Sequence, residues 1–176
     1  LTANDYYCNA TYTATDNGDK FTSYSVLNDG KPETYLHTDY SNNAPSEDHY
    51  IRMDVGSGNR LQMFNLNYTT RYSGNLCAPT RLAVEASKDG DSWVVLRDVT
   101  SGLPTQNNAS HTITELGNGI SYRYIRMRVY GTNTGQKANE HYFFIVSELG
   151  LSRINYVETP NDAYASIASG KMLDAF

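Results

Sequence analysis

Residues 123–130 read RYIRMRVY, and the alternation in that stretch decides the fold class. Ile125, Met127 and Val129 project to one side of an extended chain, and Tyr124, Arg126, Arg128 and Tyr130 to the other. That period belongs to a strand with one face in a core and one in water. The same alternation places Ile51, Met53 and Val55 inward in Tyr50–Val55, and Leu82, Val84 and Ala86 inward in Thr80–Ser87. Leu61–Thr70 adds a longer strand through Phe64, Leu66 and Tyr68, and Trp93–Val99 and Phe143–Ile154 bring the count to at least six. Gly56–Asn59, Lys88–Asp91 and Gly117–Gly119 supply the Gly, Asn and Asp that tight connections need. No helical period survives between these segments, so the chain is expected to be all-β, a sandwich of the jelly-roll kind.

The ends read differently. Thr159, Pro160, Asn161 and Asp162 form an N-cap, an N1 proline and an acidic first turn, opening a short C-terminal helix over Tyr164, Ile167 and Ala168. The expected organisation is an N-terminal segment over 1–21, the sandwich over 22–154, and a helical extension or linker to a neighbouring module over 155–176.

Composition excludes several functions. At 176 residues the chain has the length of one domain, long enough to bury roughly two-thirds of its unfolded surface. A net charge of −5 with 14 scattered Lys and Arg argues against nucleic acid, because phosphate neutralisation needs clustered cations. No apolar run reaches the roughly 18 residues of a membrane span, and no charged-then-apolar segment opens the chain; if the protein is exported, its signal is expected outside these residues. The 15 Tyr, against 5 Phe and 1 Trp, suit surfaces that are half apolar and half hydrogen-bonding. Cys8 and Cys77 admit either one bridge, closing a loop of roughly 70 residues and worth about 4 kcal/mol, or two separate buried thiols. Sequons at Asn9, Asn67 and Asn108 occur no more often than the Asn, Ser and Thr content dictates.

Catalytic chemistry finds little footing. There is no G-x-S-x-G elbow, and His37, His49, His111 and His141 lie far apart without zinc spacing, as loop or edge side chains. Gly56–Asn59, GSGN, is expected as a hairpin turn rather than a phosphate loop, because no helix N-terminus follows it. A small jelly-roll glycosidase would need two facing carboxylates. Glu85 and Glu148 are the strand residues that such a pair would have to use.

The order of motifs carries more than any one of them. LNDGKPETYLHT at Leu27–Thr38, HYIRMDVG at His49–Gly56, YTTRYSG at Tyr68–Gly74, VEASKDGDSWVVL at Val84–Leu96, YRYIRMRV at Tyr122–Val129 and IVSELGL at Ile145–Leu151 follow one another. Together they resemble a coagulation factor V/VIII type C, or discoidin, domain and its bacterial relatives, the family 32 carbohydrate-binding modules, over residues 22–154. The resemblance implies a galactose-binding-like jelly-roll sandwich that binds through loops at one end and has no chemistry of its own. It also implies a monomeric accessory domain tethered in cis to a glycosidase outside the cell, at its surface or in the periplasm.

The resemblance divides Leu27–Tyr40, LNDGKPETYLHTDY, into two halves. It implies a structural Ca²⁺ held by Asp29 and Glu148, the hydroxyl and carbonyl of Thr34, and carbonyls at Val26, Lys31 and Ser147, a hard-oxygen set of the sort Ca²⁺ takes. It implies a sugar site of His37 and Tyr40, with Arg71 and Asn75 from the next loop and Tyr142 or Phe143 closing it. An aromatic face suits the C–H side of a sugar ring, while His and the Arg fork suit its hydroxyls. Two other readings stand beside this one: an adhesion domain for membrane or protein, as in animal relatives, and the small glycosidase above.

Overall fold

The computed structural model describes residues 1–10, 13–16, 19–21, 23–74 and 76–154. A 3₁₀ turn at Ala3–Asp5 precedes β1 (Tyr6–Cys8), β2 (Thr13–Asp16) and β3 (Asp19–Phe21). A second 3₁₀ turn, Tyr24–Asn28, leads through the Asp-Gly loop into β4 (Tyr35–His37). There follow β5 (Tyr50–Asp54), β6 (Phe64–Thr69), β7 (Pro79–Ser87), β8 (Val94–Val99), β9 (Ser110–Glu115) and β10 (Tyr124–Thr132). Three two-residue strands, β11 (Lys137–Ala138), β12 (His141–Tyr142) and β13 (Ile145–Val146), and the six-residue β14 (Glu148–Arg153) complete the order.

The larger sheet runs β1-β5-β10-β7-β8; facing it are β14-β6-β9 and β13-β4-β2-β3, with β11-β12 as a separate hairpin. Every pairing among them is antiparallel. The strand β10 sits centrally because its alternation matches both neighbours. Ile125 opposes Met53 and Ala86, and Met127 opposes Ile51 and Val84, so the apolar residues form continuous inward rows. Those rows close against Phe64, Leu66, Tyr68 and Leu149 from one facing sheet and Leu36 and Val146 from the other, in a single core cluster.

The outward row of the larger sheet is not simply wet. Tyr7, Arg52, Arg126 and Glu85 stand opposite one another across four strands. The Arg126 guanidinium lies between the Tyr50 and Trp93 rings at 4.4 and 4.2 Å while its Nε donates to Glu85. Planar stacking lets these arginines pack on the sheet while keeping their charge.

Several expected boundaries move. Leu61 forms only an isolated bridge to Tyr122, so the strand expected from Leu61 starts at Phe64. The segment expected as one strand from Phe143 to Ile154 breaks at Ser147, where Ser147 N–H turns to Thr69 O and divides β13 from β14. Cys8 and Cys77 are two free, buried thiols rather than a bridge. The expected C-terminal helix, and residue Asn75, lie outside the described residues. Among those residues no helix is long and apolar enough to cross a membrane.

Candidate functional site

The Asp-Gly loop leaves the second 3₁₀ turn through Asp29 and then Gly30, whose φ of +71° an L side chain rarely adopts. Asp29 Oδ1 accepts from Lys31 N–H at 2.9 Å, and Oδ2 from the Thr34 hydroxyl at 2.7 Å. The same hydroxyl stands 3.2 Å from the Lys31 carbonyl. From the other end of the sequence, Glu148 on β14 accepts the Gly30 N–H at 3.0 Å. Burial, together with the neighbouring Asp29 carboxylate, pushes the Glu148 carboxyl up to about 7. Two carboxyls, a hydroxyl and a carbonyl thus converge on one turn, and each carboxylate disfavours the charge on the other.

That donor set fits a hard cation with an incomplete acidic cage. Among the described residues no group of three His, Cys, Asp or Glu could hold a metal ion by itself, so carbonyls must supply the remainder. Val26 and Ser147 are fully buried. The Val26 side chain packs in the core, and the Ser147 hydroxyl donates to Thr70 O at 3.0 Å, so each could offer only its carbonyl. Lys31 is exposed.

Beyond Thr34, β4 turns Leu36 into the core and leaves Tyr35 and His37 half-buried on the opposite face. β13 pairs with β4 so that Ile145 opposes His37, which delivers the preceding Phe143 to the His37 side. The His37 ring lies 4.6 Å from Tyr40 and 5.5 Å from Phe143, and Tyr40 lies 6.0 Å from Phe143. Three rings therefore form one cluster, with Tyr40 exposed. His37 Nδ1 lies 2.7 Å from Thr38 O, which can only accept. The neutral ring therefore carries its proton on Nδ1, leaving Nε2 as an acceptor.

Arg71 arrives from the loop after β6 and lays its guanidinium 4.6 Å above the Tyr35 ring. Positions 35 and 37 are about 7 Å apart along one face of the strand, so the guanidinium stacks on the same face of β4 that carries His37. Among the described residues the Arg71 Nε is buried without a hydrogen-bond partner. Asp39 turns instead to cap Ser41 N–H at 2.8 Å. Tyr72 and Leu76, both exposed, flank this loop.

The structure thus brings His37, Tyr40 and Phe143 together, with Arg71 nearby. Tyr142 points the other way, its ring 4.7 Å from Lys137 Nζ on β11, because successive residues of an extended segment face opposite sides. Tyr35, the platform under Arg71, was missed by sequence reasoning; its signal is its place two residues before His37, on the same strand face.

The glycosidase pair does not form. Glu85 lies on the outer face of the larger sheet and is ion-paired to Arg126 Nε at 2.5 Å and Arg128 Nε at 2.9 Å. Glu148 belongs to a facing sheet, and packed sheets stand about 10 Å apart before Glu85's outward direction is added. His49 in the loop before β5, His111 on the edge strand β9 and His141 on the hairpin strand β12 keep to the loop-or-edge expectation, yet each is engaged by its surroundings. His49 is fully buried, His141 Nδ1 pairs with Asp48 at 2.8 Å, and His111 packs edge-on to Tyr68 at 5.8 Å.

The architecture has known counterparts. A CBM32 module from Clostridium perfringens, solved with GalNAc-β-1,3-galactose, is similar at TM-score 0.60 and 16% identity, covering 86% of this chain and 97% of that one. The family 32 module of Clostridium perfringens NanJ, solved with galactose, is similar at TM-score 0.57 and 19% identity, covering 85% and 94%. The C-terminal domain of a chitobiase from Bacteroides fragilis is similar at TM-score 0.57 and 18% identity, covering 88% and 99%. At these identities the likeness establishes the sandwich. Among curated proteins none matches the sequence. The F5/8 type C domain family model matches residues 9–142, more than half of the chain, and the protein belongs to that family.

Proposed function

We propose that this domain is a non-catalytic carbohydrate-binding module whose ligand is a galactose-type sugar, seated on the cluster of His37, Tyr40 and Phe143. The observation that carries this reading is that cluster: three rings gathered from two distant segments, one of them exposed, with an arginine fork stacked on Tyr35 of the same strand face. The Tyr40 and Phe143 faces suit the apolar C–H side of a pyranose. His37 Nε2 accepts from a sugar hydroxyl and Arg71 donates to others. The sugars named with the two Clostridium perfringens modules support a galactose-type ligand. Such a shallow site buries little surface, so the expected affinity is weak, about 0.1 to 1 mM. Tethering to a catalytic domain in a secreted or surface glycosidase would compensate through effective concentration.

The loop of Asp29, Lys31 and Thr34 with Glu148 would hold Ca²⁺ in the same reading. The ion would neutralise the two apposed carboxyls and fix the turn that leads into the sugar site. The test is calorimetric titration with galactose and N-acetylgalactosamine, followed by a glycan array. Millimolar binding abolished by Tyr40→Ala is expected. An array without any sugar ligand would overturn the proposal.

A further inference from the structure

Where the ladder between β4 and β13 ends, a side chain takes over from the backbone. Thr38 N–H donates to Phe144 O at 3.0 Å, and Phe144 N–H donates to the Thr38 hydroxyl, also at 3.0 Å. The hydroxyl stands in for the carbonyl that a continuing strand would offer, because Thr38 O is turned to His37 Nδ1. These bonds join the segment bearing His37 and Tyr40 to the segment bearing Phe143. The hydroxyl's own proton has one partner: His49 Nδ1, at 2.8 Å. His49 comes from the opposite sheet, just before β5, where its carbonyl accepts Val129 N–H of β10. Both Thr38 and His49 are fully buried. A bond between the two layers of the sandwich therefore fixes the junction of the two ring-bearing segments.

We infer that Thr38, pinned by the neutral imidazole of His49, is the positioning residue that sets Phe143 against His37 and Tyr40, and that acid releases the pin. The inference rests on the sugar-site reading above. Thr38 Oγ1 accepts from Phe144 and has a second lone pair, but among the described residues its proton meets no acceptor other than Nδ1, which requires that nitrogen to be bare. The His49 proton then sits on Nε2, which is buried with no partner among the described residues. An imidazolium would place a second donor against the Thr38 hydroxyl and strand the hydroxyl proton in a dry site, beside a charge no hydrogen bond on Nε2 compensates. The surroundings do not rescue it. His141 opposes the charge, but is itself paired to Asp48, and Asp48 is also paired to Arg128; Asp39 and Glu47 pull the other way. Burial is the leading influence and holds the imidazole below its ordinary range. A group depressed in this way costs stability as pH falls below its unfolded value of about 6.5.

Galactose binding and the Phe143 ring and Phe144 amide resonances are followed from about pH 8 to about pH 5, in the wild type, Thr38→Ser, Thr38→Val and His49→Asn. Asn places an acceptor oxygen near the Nδ1 position and does not titrate. The expected result is wild-type affinity in Thr38→Ser, a loss of about tenfold or more in Thr38→Val, an acid-induced loss in the wild type, and a flatter profile in His49→Asn. Unchanged binding in Thr38→Val, or the same acid loss in His49→Asn as in the wild type, would overturn the pin. If galactose does not bind the wild type at all, the functional reading fails while the pin is still read from the resonances. Acid shifts at Phe143 and Phe144 present in the wild type and absent in His49→Asn support it, and equal shifts in both overturn it.

Discussion

The imidazole of His37 stacks on the Phe143 ring at 5.5 Å, with 30° between their planes. The two residues meet because β4 and β13 pair, and not because of any local propensity. If this stack forms one wall of the sugar site, Phe143→Ala should weaken galactose binding about tenfold, or about 1.4 kcal/mol, the order expected for a stacked aromatic. Tyr142→Ala, one residue earlier and turned to Lys137, should change it little. Calorimetry on both variants separates the two residues, and equal losses would sink the assignment.

Arg71 offers a second, sharper test. Its guanidinium stands 4.6 Å over the Tyr35 ring, so Arg71→Lys keeps the charge but forfeits the fork geometry and weakens the ring contact. Binding should fall nearly as far in Arg71→Lys as in Arg71→Ala. Full affinity in the lysine variant would mean that only charge matters there.

The carboxyl pair makes a prediction with a definite sign. Glu148 is raised to about 7 from an ordinary value of 4.5. Between those values the native state holds a proton that the unfolded chain has released, so this group's contribution to stability declines as pH rises across that window and stays low above it. Metal-free protein should therefore lose melting temperature from about pH 4.5 to about pH 7 relative to Glu148→Gln. Added Ca²⁺ should restore it in the wild type by binding the native state alone. His49 contributes a slope of opposite sign below about pH 6.5, which is why the comparison is made against Glu148→Gln. A melt unaffected by both chelator and Ca²⁺ would remove the ion.

Glu85 should prove structural. It is buried and holds two arginines on neighbouring positions of β10, and removing one member of a buried ion pair costs about 3 kcal/mol. Glu85→Gln should lower the denaturation midpoint by a corresponding amount while leaving galactose affinity intact. A stability change within error would show that the pairs are solvated in solution.

Gly117 tests the backbone. Its φ is +81°, and a Cβ there would lie 2.6 Å from the Gln62 carbonyl. Gly117→Ala should cost about 1 to 3 kcal/mol, measured by urea unfolding. A neutral result would mean that the turn before β10 can shift as a unit.

Part of the site is legible from local sequence because its residues are neighbours in the chain. Asp29, Gly30 and Thr34 form a turn whose bonds span five residues or fewer, and His37 and Tyr40 sit three apart. Other parts are not. Thr38 and His49 look like an ordinary loop residue and a strand-edge residue until the sheets close on each other. Their importance resides in one bond across the sandwich and in complete burial, neither of which has a period or a spacing. The glycosidase alternative shows the same gap in reverse. Glu85 and Glu148 both lie on strands, and only the arrangement of sheets shows that they point to different places.

What the sequence by itself determined is the set of half-buried strands and the turns between them. Alternation of apolar and polar side chains is a property of an extended backbone at an interface with water, and it needs no distant partner. Only the tertiary structure decided which strands become neighbours, where the segment after Phe143 breaks, and which rings meet His37. Those outcomes depend on closing long loops against one shared core. The geometry of a site assembled from residues 37, 71 and 143 exists only once that core has formed.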